Sequence, residues 1–439
     1  MTPSAAAAAT APSTLAMLGG EPAVPADLPA GSWPVVPAEA EDAVLGVLRS
    51  GRLTATASGE HEVAGLEREW AAFTGVAHCA AVGSGTAALE VALTALDVRG
   101  REVVVPALTM NATAQAVLAA GATPVFADIG TDTFTLDPAS ATDAAGPDTA
   151  ALLPVHLHGL PADMDELLAL GARLDVPVIE DAAQAHGARY RNRTVGALGA
   201  AGCFSLHPSK NLPTCGEGGL VTTASQDLHD AVVALRNFGE RPPRRTRSYI
   251  AHRTAGNARI GPIEAAFTRI QLRALPAHAA RRERDVSAFL AHLDGLPGLR
   301  VPYVPSDRTH AWHILRFRLA PDEMNLADVG PAAVRNALHR ALRAEGVPVS
   351  QYQVAPLPAH PAFRSGTAPD EVADRFPNAC ATVDGSLCLQ RRHLGPGSDR
   401  LLRAYADAFE KVWEQLPLIQ RMARSRAGVD WRHALQEDR

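Results

Sequence analysis

"PVIEDAAQAHGA", residues 177–188, and "GCFSLHPSKNLPTCGEGGLVTT", residues 202–223, decide the fold of this chain. Each opens on an apolar run too short for a helix and then reaches residues that carry chemistry: Glu180 and Asp181 in the first, Ser205 and Lys210 in the second. Buried parallel strands read this way, because both faces are covered and little alternation survives. Working outward, comparable runs recur at "HCAAV" (78–82), "EVVVP" (102–106), "TPVFAD" (123–128) and "ALLPVHL" (151–157). Between them "TAALEVALTALDV" (86–98), "NATAQAVLAAG" (111–121) and "DMDELLALGARLD" (163–175) repeat apolar residues at helical spacing. The alternation implies an α/β domain with a largely parallel sheet and, through right-handed crossovers, helices on both faces.

At 439 residues the chain is long enough for two domains. From Pro262 the pattern changes: "PIEAAFTRIQLRAL" and "AHAARRERDVSAFLAHL" read as one long helix with Pro276 as a kink point. It leads to a smaller α+β region holding "HAWHILRFRL", "VGPAAVRNALHRALRAEG" and "SDRLLRAYADAFEKVWEQL". The expected division is a flexible lead over 1–30, a large α/β domain over 31–261, a linker helix and small domain over 262–420, and a charged peripheral tail over 421–439.

Hydrophobic residues make up 47% and charged ones 20%, as in ordinary globular proteins. A net charge of -6 argues against nucleic acid as a partner. Five cysteines without CxxC spacing fit neither a disulfide framework nor a zinc site, and point to a reducing cytoplasm. The Ala-rich start has no Lys or Arg before Arg49, so it lacks the basic region of a signal peptide, and no stretch approaches the roughly 20 apolar residues of a membrane span.

Lys210 stands in a chain otherwise poor in lysine. Arginine stays protonated in proteins, whereas lysine can be made neutral and nucleophilic by its surroundings. Two other features suit the same ligand. "GSGTAALEVALTAL" (83–96) closes a glycine turn into a helix, so unpaired N–H groups of Ser84, Gly85 and Thr86 gather where a phosphate fits. Asp181 ends a strand at the edge where parallel sheets bind ligands. A phosphate cradle, an acid and a lysine are the parts that hold pyridoxal 5'-phosphate: the lysine forms the aldimine, and the acid keeps the ring nitrogen protonated.

"GSGTAALEVAL", "PALTMNATAQAVLAAGATPVFAD", "PVHLHGLPADMDEL", "IEDAAQAHGA", "FSLHPSKNL" with "GEGG", and "GNARIGPIEAAFTRIQL" together resemble the DegT/DnrJ/EryC1/StrS sugar aminotransferase family, from about residue 30 to 416. The resemblance implies a fold type I aminotransferase-like α/β architecture, with a mostly parallel seven-stranded sheet in the large domain and a smaller C-terminal α+β domain. It makes Lys210 the aldimine lysine, Asp181 the partner of the ring nitrogen, Gln184 the neighbour of the ring hydroxyl and Ser205 a phosphate ligand. Gly85 and Thr86 become phosphate-binding backbone, and Asn257 reaches the phosphate of the other subunit's cofactor in a homodimer with shared active sites. Pyridoxamine phosphate is then the intermediate between an amino donor, glutamate or glutamine, and a ketosugar or ketocyclitol acceptor in secondary metabolism, aminoglycoside or aminosugar biosynthesis.

Two departures stand out. Met110 holds the position where the family places an aromatic ring over the cofactor; a thioether against a ring gives about 0.3 to 1.5 kcal/mol, close to an aromatic pair. "SLCLQRR" (386–392) replaces a Leu-Pro. Other readings compete. His156, His158, His186 and His207 invite a metal, but their spacing supplies no complete ligand set, and none is expected. "RPPRRTR" (241–247) could hold a nucleotide-sugar diphosphate or be a solvated loop, whereas "PLPAHPAF" and "HGLPADMDEL" look like the subgroup acting on cyclitol-type ketones and aromatic precursors. A non-transaminating dehydratase, aromatic amine synthase or regulator is the alternative function. Family dehydratases replace the lysine with histidine, and here Lys210 is present.

Overall fold

The computed structural model describes residues 14–241, 249–364, 368–425, 428 and 430–435. The apolar runs form strands β1 His78–Val82, β2 Glu102–Pro106, β3 Thr123–Ala127, β4 Thr149–Leu152 and β5 Ile179–Asp181. A small hairpin, β6 Arg189–Tyr190 and β7 Arg193–Thr194, precedes β8 Ala201–Ser205 and β9 Gly219–Thr223. Parallel ladders join β3, β2 and β4, and β5 pairs parallel with β8. The parallel bridges Leu152 to Val178 and Val155 to Asp181 link the two groups. The result is seven strands in the order β3-β2-β4-β5-β8-β9-β1, in which β9 alone runs against its neighbours.

The lack of alternation in the strands has its cause in the packing. Cys79, Ala81 and Val104 point into one apolar layer with Leu66, Trp70 and Leu167, while Ala80, Val82, Val103 and Val105 point into the other with Leu89, Val117 and Val232. Successive strand side chains go to opposite faces, so two covered faces demand continuous apolar residues. Helices α1 Ala38–Ser50, α2 Glu62–Thr74, α3 Gly85–Ala95, α4 Ala112–Ala119, α5 Pro138–Ala144, α6 Met164–Leu174 and α7 Gln226–Leu235 belong to this domain. The 32-residue α8, Pro262–Leu293, runs through Pro276 without a break. At one end Arg269 pairs with Glu62 and Glu69 of α2, and at the other Val286, Phe289 and Leu293 enter the core of the small domain. There β10 Leu299–Arg300, β11 Ile314–Leu319 and β12 Ser386–Gln390 form an antiparallel sheet covered by α9, Pro331–Ala344.

Two segments that composition assigns to the periphery pack into the body. Leu15 is 1% exposed and Val24 8%, both within the small-domain core. The buried carboxylate of Glu345 explains why this part of the expected flexible lead is held. It accepts the N–H groups of Ala16 at 2.7 Å and Ala23 at 2.9 Å and pairs with the Lys411 ammonium at 2.8 Å. At the other end, within the expected charged tail, Trp431 is 1% exposed among Ala107, Leu108 and Phe376, and its N–H donates to Asp384 at 3.0 Å. Sparse apolar residues within Ala-rich or charged surroundings find the core only through the chain's path.

Glu345→Ala should therefore cost roughly 3 kcal/mol, because it strips two backbone donors and a part-buried ammonium of their acceptor. Urea unfolding with limited proteolysis around residues 14–24 measures this. An unchanged midpoint with no new cleavage would show that the carboxylate does not hold the segment.

Candidate active site

The site forms along the edge where β1, β5 and β8 end. After β1 the chain turns through Gly83 and Ser84 into α3. Ser84 is the N-cap: its backbone is extended and its hydroxyl accepts the Ala87 N–H at 3.0 Å. The Gly85 and Thr86 N–H groups are among the first-turn donors that a helix leaves without internal partners, and both residues line the cavity described below. Close packing makes glycine necessary here. A Cβ on Gly85 would lie 2.6 Å from the Ser205 Cβ, and one on Gly219 would lie 2.2 Å from the Ser84 carbonyl oxygen. The Gly-Ser-Gly turn and the "GEGG" segment are thus two halves of one contact.

Period two separates the acidic pair on β5. Glu180, fully buried, turns into the scaffold and accepts the N–H groups of Gly196 at 2.7 Å and of Leu198 and Gly199 at 2.8 Å, with His156 Nε2 at 3.0 Å from it. Asp181 faces the cavity at 4% exposure. Its Oδ2 accepts the Thr113 hydroxyl at 2.8 Å and its Oδ1 the Ala183 N–H at 3.2 Å. Burial pushes its pKa up, opposed by those two hydrogen bonds and by the charges of Lys210 and His156. A cation held in the cavity against this carboxylate would favour its ionised form.

Lys210 is 7% exposed at the end of a tight turn in which its N–H donates to the His207 carbonyl at 2.8 Å. Burial pushes its ammonium pKa down, while the Asp181 carboxylate pulls it back up. Gln184 is 3% exposed, its Oε1 accepting the His158 N–H at 2.7 Å. Lys210, Asp181, Gln184, Ser205 and Met110 open with the α3 turn onto one cavity of about 740 Å³. Met110 is 50% exposed, so its thioether lies at the rim of the cavity.

Asn257 is not part of this gathering. It is exposed, it accepts the Arg259 N–H at 3.4 Å, and it does not line the cavity of its own chain. The histidines have other uses: His156 pairs with Glu180, His158 Nε2 accepts the Arg316 Nε–H at 2.9 Å, and His186 packs against Trp70 and Phe204. Of the 241–247 arginines, all but Arg241 lie outside the described residues.

Several wall residues escaped the sequence reading. Trp33 donates its indole N–H to the Lys210 carbonyl at 3.2 Å, and Tyr352, His313 and Arg391 complete the wall from the small-domain side. Thr113 lies in the "NATAQAVLAAG" stretch, but only its contact with Asp181 shows its use. Trp33 and Tyr352 belong to no local pattern that would have marked them.

A glycine-lined helix start, a buried carboxylate and a buried lysine facing one cavity fit pyridoxal phosphate, a molecule with a phosphate, a basic ring nitrogen and an aldehyde. The model of the DegT/DnrJ/EryC1/StrS aminotransferase family matches residues 34–394. The chain belongs to that family. It is an aminotransferase of a pyridoxal phosphate-dependent group, and its fold is that of fold type I. A dTDP-3-amino-3,4,6-trideoxy-alpha-D-glucose transaminase of Streptomyces venezuelae is 39% identical over 336 residues, 76% of this chain and 82% of that protein. An L-glutamine:2-deoxy-scyllo-inosose aminotransferase of Streptomyces lividus is 42% identical over 335 residues, 71% and 76% of the two chains. Among solved structures, that of S. venezuelae DesV in complex with a ketimine intermediate superposes with a TM-score of 0.75 at 35% identity, covering 86% of this chain and 94% of the other.

Proposed function

We propose that this family member binds pyridoxal phosphate through Lys210 and transfers an amino group from glutamate or glutamine to a ketosugar or ketocyclitol in secondary metabolism. The observation that carries the reading is the opening of buried Lys210 and buried Asp181 onto one cavity capped by the start of α3. When bound, the cofactor supplies an electron sink for the pair released when a proton leaves the donor's α-carbon. Ser84, Gly85, Thr86 and Ser205 hold its phosphate. Asp181, kept in place by Thr113 and Ala183, sets a negative charge against the ring nitrogen, and Gln184 takes the ring hydroxyl. Lys210 would anchor the cofactor, and its amine, once neutral, would accept the proton that leaves the donor's α-carbon.

The exposed position of Asn257, away from its own chain's cavity, supports a homodimer in which it completes the partner's phosphate site. Among the described residues no helix is long and apolar enough to cross a membrane. The five unpaired cysteines support a place in a reducing cytoplasm. For the acceptor, one relative is named for a nucleotide-linked sugar and another for a cyclitol, so both classes belong in the test.

Purified protein given pyridoxal phosphate should turn yellow, lose the colour with glutamate or glutamine, and regain it with the right ketone. A panel of nucleotide-linked ketosugars, free ketosugars and ketocyclitols identifies that ketone. Protein that stays colourless with excess cofactor overturns the reading. Colour lost to a donor but restored by no ketone would overturn the acceptor class alone.

A further inference from the structure

The cavity wall contains a cation without a counter-charge. Arg391, just after β12, is 2% exposed, and its Nε, Nη1 and Nη2 all lack a hydrogen-bond partner. Its guanidinium lies over the Trp33 indole, 3.5 Å from the ring centroid. Near it is a second buried guanidinium, Arg282 of α8, which donates Nε to the Leu394 carbonyl at 3.2 Å and Nη1 to the Ala311 carbonyl at 3.3 Å, leaving Nη2 without a partner. Among the described residues no carboxylate pairs with either arginine. Burial pushes both pKa values down, Arg282 to about 10, and the charge of Arg282 adds to the effect on Arg391. Of the acids lining the cavity, Asp181 is engaged by Thr113 and Ala183, and Glu217 is exposed.

Two buried guanidinium groups without an acid are costly unless a ligand completes them. A planar guanidinium stacked on a ring offers its edge, and two parallel N–H groups match a carboxylate. Trp33 locates that edge: the indole whose face meets Arg391 donates its N–H to the Lys210 carbonyl, so one ring separates the cation from the lysine's own backbone. Arg391 and Lys210 also line the same cavity, so one small molecule carrying a carboxylate and an amine can meet both.

Building on the aminotransferase reading above, we propose that Arg391, seated on Trp33, receives the α-carboxylate of the amino donor.

The test uses the cofactor-loaded enzyme and glutarate, which is glutamate without its amine and cannot react. Calorimetry should show glutarate binding weakened about 100-fold in Arg391→Met and about 10-fold in Arg391→Lys, which keeps the charge and loses the fork. In single half-reactions, kcat/KM for glutamate should fall by similar factors, and that for the ketone with the aminated enzyme far less. Unchanged glutarate binding, or a loss confined to the ketone half-reaction, would overturn the proposal and make Arg391 part of the acceptor site or the scaffold. Should the Met variant fail to fold, the Lys variant and wild-type enzyme decide. Wild type should process 4-aminobutyrate, which lacks the α-carboxylate, at least about 100-fold less well than glutamate, and equal use of the two refutes the idea. Wild-type enzyme that takes an amino group from no donor at all fails the aminotransferase reading first and takes this inference with it.

Discussion

Lys210→Ala is expected to reduce amino transfer on the order of 10⁴-fold or more, because in the proposed roles the substitution removes both the covalent anchor and the proton carrier. The protein should still take up pyridoxal phosphate weakly, since the α3 turn, Ser205 and Asp181 remain. The assignment is sharpened by the scarcity of lysine, as the chain's other lysine is Lys411. That ammonium is held by the Glu345 carboxylate and the Glu21 carbonyl in the clamp on the N-terminal segment. Borohydride reduction and peptide mapping should therefore leave the cofactor on Lys210. Label on Lys411, or turnover by the Ala variant near the wild-type rate, would refute the role.

Asp181→Asn is expected to lower kcat by about 10³-fold with a much smaller change in cofactor affinity. Unit charges about 4 Å apart at an effective dielectric near 20 attract by about 4 kcal/mol, which corresponds to about that factor when the charge matters to the barrier. Asparagine keeps the shape of the side chain and an oxygen for the Ala183 N–H, so the pocket itself is preserved. The variant should bind the cofactor, show a visible spectrum altered by the unprotonated ring, and turn over slowly. Near-normal kcat would mean that the carboxylate does not act on the ring nitrogen. Equal losses in binding and rate would make it a packing residue.

The outcome at β5 shows how far local sequence reaches. Both Glu180 and Asp181 are legible as acids at a strand end, yet one neutral scaffold of N–H groups absorbs Glu180 while the other acid meets the cavity. The decision follows from which sheet face each side chain takes and what the loop after β7 presents there. Met110 is visible as a departure from an aromatic position, but its place at the rim depends on the turn between β2 and α4.

By itself, the sequence determined the alternation of strands and helices, the start of a long helix at Pro262, and the lysine, acid and glycine turn that open onto one cavity. Those features are local: periodicity reports how many faces are buried, and glycine next to a helix start reports a close approach. Only the tertiary structure decided that Leu15 and Trp431 belong to cores, that Asn257 stands away from its own cavity, and that Trp33 brings Arg391 to Lys210. Such contacts join residues hundreds of positions apart, and the distance between them is set by the path of the whole chain, which no short window of residues encodes.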